Sequence, residues 1–172
     1  KILNAAALGL PVGRNLDALS RDPASCDVVF SMDGLSLIDG VTYQADDLIR
    51  WNPMTGFSLY RAMGLGNDID ALHLLDNGNI LFSVAVDQAL PGLNVQDEDV
   101  VELILSTNPP QYDLAFAPSS FDNSWFAGDL DALWAVRMPQ PGSLRWTLAE
   151  LEVFEDDGSF DLFLERVNGS DG

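Results

Sequence analysis

Three short acidic segments hold the residues best suited to chemistry. Asn15-Leu16-Asp17-Ala18-Leu19, Asp68-Ile69-Asp70-Ala71-Leu72 and Asp129-Leu130-Asp131-Ala132-Leu133 each place two oxygen-bearing side chains two residues apart. In an extended strand, residues i and i+2 project to the same side, so each pair can converge on one cation. A second acidic cluster follows in the same order: Asp46-Asp47, then Asp97-Glu98-Asp99, matched later only by Glu150. Carboxylates are hard ligands, and Ca²⁺ takes about six to eight oxygens in flexible geometry. The candidate ligands for Ca²⁺ are therefore Asp17, Asp68, Asp70, Asp129, Asp131, Asp47, Asp97 and Asp99. A structural alternative stands beside this one. Aspartates at strand entries also accept backbone N–H bonds and hold turns without any metal. The spacing matches neither an EF-hand loop nor a nonapeptide calcium repeat.

Other reactive residues are sparse. His73 is the only histidine and Cys26 the only cysteine. A zinc or copper site built on nitrogen and sulfur lacks ligands. His73 reads as a packed or hydrogen-bonded residue of a strand, because Ser20 and Trp134 stand at its equivalent places. Cys26 reads as a small buried hydrophobe at the edge of a β-rich run. Trp51 and Trp146 lie within strand patterns and suit a core, whereas Trp125 lies in a connection where it could stack on a sugar. No nucleophile elbow, phosphate loop or zinc signature occurs.

The elements that must position these acids form a pattern of short strands. Asp17, Asp70 and Asp131 are 53 and 61 residues apart, and four strand-like runs follow each. The second unit is the clearest, with Ala71–Leu75, an Asp76-Asn77-Gly78 turn, and Ile80–Val86. Asp-Asn-Gly between apolar runs is among the strongest short hairpin signals. Gly40 through Ile49 matches Gly92 through Val101 position by position, so the long loop after the second strand belongs to the unit. Asn52-Pro53-Met54-Thr55-Gly56 is a hairpin connection, with Pro early and Gly late in the turn. The third unit is abbreviated and lacks the long loop. The units fall at 15–66, 67–128 and 129–172 of one domain, preceded by a short helix or strand and a connection before Arg14.

Periods of this length with four short strands resemble the blades of β-propellers of the WD40 and NHL class. The acidic entries, with Gly169-Ser170-Asp171 at the junction, are also similar to uncharacterised acidic repeats of secreted bacterial proteins. The resemblance implies an all-β fold of three four-stranded, propeller-like blades. A β-trefoil, also built from three four-stranded units, is the alternative. Three blades are fewer than a usual ring. They can close alone, pair with a second chain as a six-bladed homodimer, or belong to a longer array.

Charge narrows the function classes. The 172 residues are 47% hydrophobic, ample for a core, yet carry 27 acidic against 8 basic side chains for a net charge of −19. Such a chain repels nucleic-acid phosphates and anionic membranes. No run approaches the roughly 20 apolar residues of a membrane span. A first residue of Lys1 fits signal-peptide removal or trimming, which favours a secreted or periplasmic location. The expectation is an acidic β-repeat module, binding or structural, stabilised by Ca²⁺ and facing a protein or carbohydrate partner. The alternative is a propeller-type hydrolase or lyase with a metal and acids in a central pocket.

Overall fold

The computed structural model describes residues 6–120, 130, 133, 135, 143–146 and 164–167, and among these the chain is all-β apart from two 3-10 turns. In chain order come β1 (Leu16–Arg21), β2 (Val28–Met32), the hairpin β3 (Ser36–Ile38) and β4 (Val41–Tyr43), then β5 (Asp47–Asn52) and β6 (Gly56–Ala62). The same order follows with β7 (Ala71–Leu74), β8 (Ile80–Ser83), the hairpin β9 (Gln88–Leu90) and β10 (Leu93–Val95), then β11 (Val100–Ile104) and β12 (Gln111–Phe116). Two antiparallel sheets result, ordered β1-β2-β5-β6 and β7-β8-β11-β12, each interrupted by its hairpin between the second and third strands. None of the described sheets is closed. The expected long loop is thus a hairpin in both units.

Turn chemistry sets the registers. Ile38 pairs with Val41 across Asp39-Gly40, and both turn residues have positive φ, 49° and 80°. That is the primed two-residue turn whose twist suits a hairpin. At Leu75–Asn79 the N–H of Gly78 donates to the Leu75 carbonyl at 2.9 Å, with Gly78 at φ 86°. Asn52 Oδ1 accepts from the N–H groups of Met54 and Thr55, closing the β5–β6 turn.

The core explains the sequence pattern. All five residues of β2 are buried, because the sheet is covered on both faces. Ala18, Val29 and Leu48 join Leu72, Leu74, Ile80, Phe82, Val101 and Leu103 of the second sheet in one apolar cluster. Val28, Phe30, Met32 and Ile49 meet Leu10, Ile38 and Tyr43 on the other face. Strands buried on both faces read as continuous apolar runs rather than alternating ones, as Val28-Val29-Phe30 does.

Cys26 departs from expectation. It is exposed, at φ 64°, in the turn between β1 and β2. Asp22 and Asp27 close this turn, with the Cys26 N–H donating to the Asp22 carbonyl at 2.8 Å. The left-handed backbone at Cys26 leaves its side chain exposed, while Asp22 and Asp27 of the same turn are buried.

In the second of the two units into which the chain divides, β13 (Ser143–Trp146) and β14 (Leu164–Val167) pair antiparallel. Asp129 and Asp131 of the expected third unit, and Trp125 in the connection before it, lie outside the described residues.

Candidate metal centre

Ser31 assembles the site. It is fully buried on β2, opposite a register irregularity of β1 between Leu16 and Leu19. An extra residue in one strand bends it and re-aims its side chains. Here the affected stretch carries Asp17. The Ser31 hydroxyl accepts from the Ala18 N–H at 3.1 Å and donates to the Ile69 carbonyl at 3.0 Å. One side chain therefore ties the backbone beside Asp17 to the backbone between Asp68 and Asp70. Ile69 is itself fully buried, which fixes the segment from the apolar side. A second buried bond, from the Leu74 N–H to Ser20 Oγ at 3.0 Å, holds β7 against β1.

The outcome is one carboxylate from the first entry facing two from the second. Oxygens of Asp17, Asp68 and Asp70 all lie within 4.8 Å of one another, each side chain partly buried. The i, i+2 pair of the second entry converges as the strand geometry requires, and the preceding unit supplies the third acid.

Electrostatics follow from this crowding. Burial is the largest influence on Asp68, pushing its carboxyl up to about 7. A hydrogen bond shared with Asp17, and the charges of Asp17 and Asp70, act in the same direction, whereas the Ile69 N–H on Asp68 Oδ1 at 2.9 Å opposes them. The Asp68 carboxyl is therefore raised to near neutrality beside the Asp17 carboxylate. A divalent cation would relieve the same repulsion with two charges in place of a proton's one.

The remaining candidates fall into different roles. Asp47 Oδ2 accepts from the Gln44 N–H at 2.8 Å, and Asp99 Oδ2 from the Gln96 N–H at 3.0 Å. Both carboxylates therefore brace the turn between their hairpin and the next strand. Asp46 accepts from the N–H groups of Leu65 and Gly66 through one oxygen. Asp97 instead lies with Asp87 and Glu98 in a second group of three carboxylates. His73 is half-buried on β7 opposite Leu81, and Trp51 packs on the second apolar cluster.

No family model, curated protein or solved structure matches the chain. The function must be read from the geometry. Among the described residues no helix is long and apolar enough to cross a membrane.

Ser31 and Asp87 are the contributors that reading by acidic repeats passed over, while Glu98 stood in the second acidic cluster but outside the ligand set. A signal for Ser31 existed, since Phe30-Ser31-Met32 and Phe82-Ser83-Val84 hold the same place in their units. Ser83 indeed donates to the Leu130 carbonyl at 3.2 Å, within the third acidic entry.

Proposed function

We propose that this protein is an acidic β-sheet module that binds Ca²⁺ through Asp17, Asp68 and Asp70, using the ion to fasten its two four-stranded sheets together. The convergence of these three carboxylates at a seam between sheets carries the reading. The ligands come from strand entries of different sheets, so bound metal stabilises their docking rather than either sheet alone. Such a role suits a secreted or periplasmic module exposed to abundant calcium, presenting a binding surface to a protein or carbohydrate.

The shared strand order of the two sheets, with a hairpin inserted at the same point, supports a propeller-like arrangement of three units. The Ser31 and Ser83 bonds support it too, each reaching from a second strand to the next acidic entry. Light scattering separates the assemblies: a strict monomer in solution sinks the six-bladed homodimer.

The calcium reading is tested by thermal melts of the full chain with excess CaCl₂ and with EDTA. Metal bound only by the folded state raises the melting point in proportion to the logarithm of its concentration. Superimposable melts in calcium and chelator would overturn the reading.

A further inference from the structure

We propose that a second Ca²⁺ binds where Asp87, Asp97 and Glu98 meet at the base of the β9–β10 hairpin. Pairing of Gln88 with Val95 ends the ladder, so the chain leaves it through Asp87 on one side and Gln96-Asp97 on the other. The Asp97 N–H donates to Asp87 Oδ1 at 3.1 Å, which draws the two acids together. One oxygen from each of Asp87, Asp97 and Glu98 lies within 4.8 Å of the others.

The decisive residue is Glu98. It is 3% exposed, and its Oε1 has no hydrogen-bond partner. A buried acceptor left without a donor is costly, and native structures rarely tolerate one without an ion or water. The other two members of the group are the carboxylates of Asp87 and Asp97, which offer no donor while ionised.

The first sheet provides an internal contrast. Asp46 stands at the position of Glu98, and two backbone N–H groups satisfy it. The positions of Asp87 and Asp97 are there Leu35 and Ala45. Where the backbone satisfies the buried acid, its flanks are apolar; where it does not, two more carboxylates surround it. An all-oxygen set excludes the metals that favour nitrogen and sulfur. Ca²⁺ accepts an irregular oxygen set, with water completing the shell, whereas Mg²⁺ demands near-octahedral geometry. This site shares no residue with Asp17, Asp68 and Asp70 and does not depend on them.

Equilibrium dialysis of the full chain against CaCl₂ tests it, using Asp68→Asn to remove the first site. The Asp68→Asn chain should retain a bound ion. Adding Asp87→Asn should weaken that ion at least about tenfold, since even residues outside the ligand shell contribute that much. Asp87 is exposed, so the variant leaves the fold intact, as a circular dichroism melt would verify. Glu98→Gln should abolish the ion while raising the calcium-free melting point. No stoichiometric ion in the Asp68→Asn chain, or one indifferent to Asp87→Asn, overturns the proposal. One ion in both wild type and Asp68→Asn, lost on Asp87→Asn, overturns the Asp17–Asp68–Asp70 reading and supports this one.

Discussion

Replacing Asp68 by Asn isolates the cost of crowding three carboxylates at the seam. The amide keeps an oxygen to accept from the Ile69 N–H and gains an N–H to offer Asp17. In the wild type the folded pKa is about 7 against an ordinary 3.8. The folded state therefore holds a proton that the unfolded chain has released across this interval. A raised carboxyl pKa makes stability fall as pH climbs from about 4 through 7. At 1.36 kcal/mol per pKa unit, the shift sets a ceiling of about 4 kcal/mol. Asp68 is only partly buried, and solvent screening reduces this to roughly 1–2 kcal/mol. For a chain of this length that corresponds to roughly 3–6 °C in melting temperature. Without calcium, Asp68→Asn should thus melt higher than wild type at pH 8 and nearly level with it at pH 4. Circular dichroism melts in EDTA at both values measure the difference. Other titrating groups are common to both proteins and cancel in the comparison. A variant less stable at pH 8, or a difference that ignores pH, refutes the raised Asp68 carboxyl as the source of the cost.

Three further outcomes follow from described contacts. Ser31→Ala leaves the Ala18 N–H and the Ile69 carbonyl buried without partners, so it should cost about 1–3 kcal/mol in denaturant unfolding. Ser58→Ala, on the exposed face of β6, is the control and should stay within about 0.5 kcal/mol. Gly78→Ala meets open space but retains φ 86°, so backbone strain alone should cost about 1–2 kcal/mol in the same assay. Cys26 should react stoichiometrically with a maleimide in the folded protein, and protection until unfolding would contradict its exposed turn position.

What the sequence disclosed divides along the reach of the interactions. Asp76-Asn77-Gly78 and Asn52 through Gly56 each specify a turn with their own dihedral preferences and short-range bonds, so those hairpins were legible, whereas Asp39-Gly40 was hidden within a stretch read as a long loop. The strand sequence was legible because Gly40–Ile49 and Gly92–Val101 repeat it in register. The partner of Asp68 was not. Period-2 alternation places Asp68 and Asp70 on one side of a strand but is silent about which strand faces them, and Asp17 arrives from 51 residues upstream. Asp47 and Asp99 read as ligands by composition; one oxygen of each accepts from a backbone N–H three residues before it, and Asp99 Oδ1 is left buried without a partner. Cys26 was misjudged because its neighbours Val28, Val29 and Phe30 dominate the local hydropathy, although the left-handed requirement belongs to the turn.

The Ser31 bond also bears on how the chain is made. Its hydroxyl and its acceptor at Ile69 are 38 residues apart, and those of Ser83 and Leu130 are 47 apart. Synthesis proceeds at about 5–20 residues per second, so each serine emerges roughly 2–9 s before its acceptor. Until Ile69 and the second sheet are made, the Ser31 hydroxyl lacks its protein acceptor and Ala18, Val29 and Leu48 lack their cover. In both cases the second strand of one unit leaves a buried hydroxyl whose acceptor is supplied by a later acidic entry.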